Sequence, residues 1–411
     1  MMGKVVEEAF EKCEHELQLG GVTVKPAAFV DDVATARGSA EGAREAGERL
    51  TEVLTNLTLR AHPEKTVNLV IGTKRQREVV QRNLSENPMI IQGFEVQEKD
   101  EDQYLGMNFS NKGVRESINR TIDKRGGKAV GKTKLAKAVL KDERIQAIGW
   151  LDAARVLYQG TITPTLTYSS IAWVRMNKTQ RKMLESYQKD CIYDLLDLLP
   201  GASYAAVLLE LGLPKINAFV DQLKICYVSK LMFDKPNSQV ANLLKAEENE
   251  SPGAGLLGEV KELCIKYKLE DVSEIFVDPD RIKRRVTEDA MFELLLEAKR
   301  SSKVPLRTVR VKARKSYFGL PKIEARAIFL HNVGELNVKM NRKGLALTRY
   351  GDLTCPVPGC RMPDTQSHLT RCAGYWTRVT REISSDEELG HHLVSLHRER
   401  VYRWKMPLFN C

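Results

Sequence analysis

The sequence predicts an α+β fold: strands and helices alternate over residues 1–110, the chain is mostly helical from there on, and a small cysteine-histidine knuckle lies near its end. Three observations lead to that prediction. Asp31 and Asp32 stand between the apolar segments Ala27-Ala28-Phe29-Val30 and Val33-Ala34; two adjacent carboxylates cannot both enter an apolar core, so the pair marks the turn of a β-hairpin. Apolar residues recur at helical spacing through residues 145–245. Cys355, Cys360, His368 and Cys372 cluster within eighteen residues.

Taken in order, the first residues carry Val5, Val6, Phe10 and Leu17 among charged positions, which predicts a helix, and Gly20-Gly21 leads into a strand at Val22-Thr23-Val24. The acidic hairpin follows, with Lys25 to Val30 pairing with Val33 to Ala36. Its carboxylates suit a hard divalent cation such as Mg²⁺, which prefers oxygen ligands, although Asp-Asp is also an ordinary turn dipeptide. Gly42 to Leu59 reads as an amphipathic helix burying Leu50, Val53, Leu54 and Leu57. His62 to Thr66 is a polar turn, Val67 to Gly72 a short strand, and Gln103-Tyr104-Leu105-Gly106-Met107 a second tight hairpin. Leu208, Leu209, Leu211 and Leu213 with Ile216, Phe219, Leu223 and Ile225 predict packed helices, a helix end falls at Pro200-Gly201, and Glu247 to Gly258 reads as a linker. Trp150, Tyr158, Tyr168 and Trp173 suit a core, with base stacking the other use of such rings.

A formal net charge of +10 favours an acidic partner, nucleic acid first. One basic set runs from Lys112 to Arg144 and includes Lys124, Arg125, Lys128, Lys132, Lys134 and Lys137; a second runs from Arg281 to Lys315. Such a stripe either tracks phosphates, without regard to base sequence, or is the solvated face of a helix. The 42% hydrophobic content supports two or three globular domains. No apolar stretch reaches membrane-spanning length, no secretory segment opens the chain, and eight cysteines without one point to reduced thiols and an intracellular protein.

Four residues separate Cys355 from Cys360, seven more precede His368 and three more precede Cys372. Three thiolates and an imidazole suit a closed tetrahedral Zn²⁺, which makes the site structural. Pro356, Pro358 and Gly359 shape a tight turn, Pro363-Asp364 reads as a loop, and His391, His392 and Cys411 are reserve ligands; Arg361, Arg371 and Arg378 suit phosphate contact.

The order of the Phe29-Val30-Asp31-Asp32 hairpin, a helix, the Lys65-Thr66 strand and the Tyr104-Leu105-Gly106 hairpin resembles motifs C, D and E of the reverse transcriptase palm in non-LTR (LINE-type) retrotransposons. Leu151 to Trp173 and Gln180 to Lys230 are similar to the helical thumb. Gly334-Glu335-Leu336 and the knuckle resemble the Cys-Cys-His-Cys end of the site-specific elements that carry a restriction-like endonuclease. The resemblance implies a partial palm over 1–110, a helical thumb over 111–245, a basic helical linker over 246–350, and a zinc knuckle and tail over 351–411. It implies RNA-templated DNA synthesis primed by a nicked chromosomal target, with an RNA template and a DNA primer as partners and the nucleus as compartment. Asp31 and Asp32 would then hold catalytic Mg²⁺, Lys65 would pass a proton to pyrophosphate, Tyr104, Leu105 and Gly106 would grip the primer end, and the Lys124 to Lys137 stripe would follow the duplex.

Two parts of that pattern are missing. The palm needs a further metal-binding aspartate on an earlier strand, yet Met1 to Val30 contains none, nor the Gln-Gly and Ser-Pro pocket motif; Glu7, Glu8, Glu11, Glu14 and Glu16 suit a solvated helix face. Two-metal phosphoryl transfer needs ions about 4 Å apart, clamped from both strands. Ala373 to Cys411 is also too short for a nuclease core. The expectation is a truncated chain incomplete for polymerisation by itself. The alternative, from a different class, is a non-catalytic nucleic-acid- and zinc-binding protein; a helical scaffold with a zinc clip is the third reading.

Overall fold

The structure, a computed structural model, describes residues 9–10, 16–29, 32–198, 201–300, 316–333, 336, 353–364, 366–369, 372, 375, 385–404, 406 and 408. The chain is mixed helix and sheet, with 62% of the described residues helical and strands of two to four residues. It divides into two compact units: 1–125, 168–183 and 220–283 make the first, and 126–167, 184–219 and 284–411 the second.

In the first unit β1 (Gln18–Leu19) and β2 (Val22–Thr23) pair across Gly20-Gly21, both at positive φ. β3 (Ala27–Phe29) and β4 (Asp32–Ala34) pair antiparallel with Phe29 opposite Asp32, so a hairpin forms but Asp32 stands in the strand and not in the turn expected at Asp31-Asp32; an exposed strand position leaves its carboxylate in water as a turn would. Val30 and Asp31 lie outside the described residues. Helix α1 (Ala40–Asn56) opens at Ser39, whose hydroxyl accepts from the Gly42 N–H at 3.1 Å. It ends before Thr58, which turns the chain at φ 56°. That stop leaves Leu57 exposed, against expectation, while Ala46, Val53 and Leu54 pack with Ala9, Phe10 and the partly buried Val33 and Leu50.

The strand expected over Val67 to Gly72 is cut to β5 (Val67–Asn68). Thr73 and Gln76 form a reciprocal capping box that starts α2 (Lys74–Glu86), a helix the strand reading missed. β6 (Ile90–Ile91) and β7 (Phe94–Glu95) form a hairpin, and β8 (Gln97–Glu98) pairs parallel with β5. β9 (Glu101–Tyr104) and β10 (Met107–Ser110) make the second predicted hairpin. Tyr104 faces Met107 across a two-residue turn with Leu105 at φ 44° and Gly106 at φ 81°, as a type I′ turn requires.

The rest is helical: α3 (Val114–Val139), α4 (Glu143–Ile148), α5 (Trp150–Leu157), α6 (Thr163–Thr167), α7 (Lys178–Leu195), α8 (Tyr204–Leu211), α9 (Ile216–Asp234), α10 (Gln239–Glu250), α11 (Leu256–Lys266), α12 (Pro279–Lys299), α13 (Lys322–Asn332), α14 (Gln366–Leu369) and α15 (Asp386–Trp404). The linker expected over Glu247 to Gly258 shrinks to Ser251–Gly255, because α10 continues to Glu250 and α11 starts at Leu256. Pro200 lies outside the described residues.

A charged network lies inside the first unit. Lys224 is fully buried and donates to both Glu259 oxygens at 2.9 and 3.0 Å and to the Trp173 carbonyl at 2.6 Å. Asp221, equally buried, accepts from Arg181 at 3.0 Å, Lys266 at 3.1 Å and the Tyr267 hydroxyl at 2.8 Å. Burial pulls the Lys224 ammonium below its usual pKa, against the attraction of Glu259. The pairing offsets most of the desolvation cost; removing one partner would strand its neighbour.

In the second unit α5 runs into a π-helical turn at Tyr158–Ile162 and then α6. Pro164 is the physical cause: it has no N–H to bond Gly160, and its ring crowds that carbonyl, so the preceding turn widens and Thr163 bonds back to the Tyr158 carbonyl. Gln188 ties three elements by accepting from the Tyr204 hydroxyl and the Ile216 N–H and donating to the Pro214 carbonyl. Gly126 is required because a Cβ there would strike the Tyr187 ring. Trp150 and Tyr158 are buried in this unit and Trp173 in the first, as expected of core rings; Tyr168 is not, being 51% exposed.

Candidate metal centre and nucleic-acid interface

The knuckle is built by two local devices. Val357-Pro358-Gly359-Cys360 forms a turn with Gly359 at φ 81° and the Cys360 N–H on the Val357 carbonyl at 3.0 Å, the Pro-Gly pattern of a type II turn. The Cys355 N–H bonds the Met362 carbonyl at 2.9 Å, so this loop folds back and brings both sulfurs to one side. His368 sits in α14, and Cys372 follows one helical turn later with its N–H on the His368 carbonyl at 2.9 Å.

The four ligand atoms lie within 4.8 Å of one another. Cys355 Sγ is 3.8 Å from Cys372 Sγ, Cys372 Sγ is 3.9 Å from Cys360 Sγ, and Cys360 Sγ is 3.2 Å from His368 Nε2. Zn–S bonds of about 2.3 Å in a tetrahedron require sulfurs about 3.8 Å apart, so this donor set fits zinc. Burial, with the neighbouring thiols adding to it, pushes the Cys355 thiol up to about 12, which a bound cation reverses by holding the thiolate. Of the reserve ligands, neither described one is part of the cluster: His391 pairs with Glu324 at 3.0 Å and His392 is buried in α15. Cys411 lies outside the described residues.

Asp364, read as part of a loop, is fully buried and joined to Arg400 of α15 by two bonds of 3.0 Å. Arg400 also donates to the Tyr375 hydroxyl at 2.7 Å and to the Met406 carbonyl at 3.3 Å. The second half of the knuckle is therefore fastened to a helix by a bidentate ion pair. Arg400 and Tyr375 were not legible as partners, since nothing local in the sequence links them to Asp364.

At the acidic hairpin Asp32 is exposed. The Tyr104 hydroxyl donates to the Ala27 carbonyl at 3.4 Å, and its pKa is raised by burial and then by the Asp32 carboxylate, so the two predicted hairpins are neighbours. Lys65 is exposed in the turn Pro63–Lys65, with no hydrogen bond or ion pair to Asp32. Asp31 lies outside the described residues. Among the described residues only the Cys₃His group gathers three or more potential ligands, so they do not assemble a Mg²⁺ site around Asp32.

Along α3, Ile118, Ile122, Ala129, Thr133 and Ala136 are buried, while Lys124, Lys128, Lys132 and Lys134 are exposed. Four of the basic residues are already engaged. Lys132 donates to Thr165 Oγ1 at 2.8 Å, and Lys137 lies 2.5 Å from Asp197 and 3.0 Å from Asp194, which raise its pKa. Lys124 bonds the Gln103 side chain. Arg125 covers the Tyr168 ring at 4.3 Å and donates from Nη2 to the Gly106 carbonyl at 2.8 Å. In the second basic set Arg281 pairs with Glu270, Arg285 lies near Glu288 and Asp289, and Lys303 to Lys315 lie outside the described residues, as do Arg371 and Arg378. No described helix is long and apolar enough to cross a membrane.

No protein-family profile matches this chain, and no curated protein sequence does.

Proposed function

We propose that this chain is the C-terminal portion of a non-LTR retrotransposon reverse transcriptase, and that its own biochemistry is binding nucleic acid and structural zinc. In this reading residues 1–110 are the end of the palm, 111–245 the thumb, 246–350 a basic linker and 351–411 the knuckle and tail. The observation that carries it is the meeting of two hairpins far apart in sequence: Tyr104 of the Tyr-Leu-Gly turn lies against Ala27 and within the field of Asp32. The exposed lysines of α3 and the close Cys₃His cluster add to it. The parent reaction in this reading is RNA-templated extension of a DNA primer; Asp31 and Asp32 would supply one side of its Mg²⁺ site, and Tyr104, Leu105 and Gly106 would grip the primer end.

Binding without catalysis is favoured by a specific observation, that among the described residues Asp32 belongs to no group of three or more potential metal ligands. The test is binding of a labelled primer annealed to an RNA template over a salt series, with primer extension assayed in Mg²⁺ and Mn²⁺. Affinity falling steeply with salt, without extension, supports the reading. Extension abolished by Asp31→Ala overturns the non-catalytic part, and no salt-sensitive binding overturns the whole.

A further inference from the structure

We propose that Tyr168 is a stacking platform for an unpaired nucleobase, held in place by Arg125 and the Leu105-Gly106 turn. The inference rests on the nucleic-acid-binding reading above and adds to it a residue and a mode of contact.

Tyr168 follows α6 directly, and Ser169 at φ 65° reverses the chain there. Of the four aromatic residues between Trp150 and Trp173 that suit either a core or stacking, the other three are at most 2% exposed, whereas Tyr168 is 51% exposed. An exposed tyrosine free to rotate would lose much of its stacking energy to ordering. This one is not free. The Arg125 guanidinium lies over the ring with its carbon 4.3 Å from the centroid, and Arg125 is itself tied to the Gly106 carbonyl. Gly106 lets both approach: a Cβ at that position would strike Arg125 and fall 2.6 Å from the Tyr168 ring. Burial lowers the Arg125 pKa, so the cation is partly stripped of water where it meets the ring.

One face of the ring is thus occupied by a cation, while the residue as a whole keeps 51% of its surface exposed. A planar base can use that open surface whatever its identity, because every base has a π-face. Lys124, the residue before Arg125, is exposed; its ammonium bonds the neutral Gln103 amide and so keeps a charge complementary to the strand's phosphates. This division of labour makes a separable prediction: Tyr168 contributes through the base alone, and the lysines through phosphate.

The experiment compares binding of single-stranded oligonucleotides to the full chain and to its Tyr168→Leu and Tyr168→Phe variants, over a salt series, using a normal strand and one carrying abasic sites. Tyr168→Leu should weaken binding of the normal strand by about 5- to 150-fold with an unchanged salt slope. Tyr168→Phe should bind as the unaltered protein does, and the abasic strand should bind the unaltered protein and Tyr168→Leu equally. A 2-aminopurine base should lose fluorescence on binding the unaltered chain but not Tyr168→Leu. Equal binding of the normal strand by the unaltered protein and Tyr168→Leu overturns the platform while leaving the nucleic-acid reading intact. Failure of the unaltered chain to bind any strand overturns both.

Discussion

Replacing Asp364 by asparagine keeps the side-chain shape and removes one charge from a pair that has no access to water. Asp364 and Arg400 are both 0% exposed, and each guanidinium nitrogen facing the carboxylate is 3.0 Å from its oxygen. After the change Arg400 keeps the Tyr375 hydroxyl and the Met406 carbonyl, neither of which carries a compensating charge. Breaking a buried pair in this way costs about 3–5 kcal/mol, roughly 10²- to 10⁴-fold in the folding equilibrium. Urea unfolding of the zinc-saturated protein, followed by circular dichroism, gives the global value, and hydrogen exchange of the α15 amides gives the local one. Exchange in α15 should accelerate by a comparable factor. The double variant Asp364→Leu with Arg400→Met, which removes both charges and keeps the volume, should recover most of the loss, since a buried ion pair and its apolar replacement are often close in energy. A loss below about 1 kcal/mol in Asp364→Asn, or a double variant no better than the single one, would refute the argument.

Other consequences follow from the same geometry. Chelation of zinc should unfold the knuckle, and Co²⁺ added in its place should give the intense visible bands of a tetrahedral thiolate site; His368→Ala should abolish them, and octahedral spectra would contradict the ligand set. Gly126→Ala should destabilise the chain by about 1–3 kcal/mol through the Tyr187 ring, whereas Gly131→Ala, with open space at the same helix, should stabilise it by up to about 1 kcal/mol; thermal unfolding that ranks them the other way would refute the packing. Burial lowers the pKa values of His392 and His397, so both stay neutral in the fold. Their contribution is complete above the unfolded value of about 6.5 and is lost as pH falls below it through the folded values, because the unfolded chain takes up protons first. Stability measured at pH 7.5 and 5.5 should therefore drop less in His392→Leu than in the unaltered protein, and equal drops would exclude His392 as a contributor.

What could be read in advance was local chemistry. Two acids between apolar segments announce a hairpin, though not that Asp32 would fall in its strand; Leu105-Gly106 provides the positive φ values of a second hairpin, and three cysteines with a histidine at close spacing announce a cluster that could hold a metal. The end of β5 was misplaced because Val70 and Ile71 extend a strand-like pattern, while the Thr73 and Gln76 capping box had already begun a helix. The widened turn at Tyr158 follows from Pro164 but is visible only once the residues on both sides are known to be helical. Arg125 over Tyr168, Lys224 with Glu259, and Asp364 with Arg400 were invisible for a common reason. Each pair is brought together by tertiary packing, and neither partner's neighbours in sequence specify the other.

The close spacing of the knuckle's ligands also sets an order of events. All four lie within eighteen residues, so little chain entropy opposes their meeting and a zinc ion can gather them as soon as that stretch is free of the ribosome. The Asp364–Arg400 bond spans 36 residues and must wait for α15. If the cluster takes up its metal, capture would therefore be an early, nearly autonomous event in the life of the chain, with the helix docking afterwards onto a surface already made.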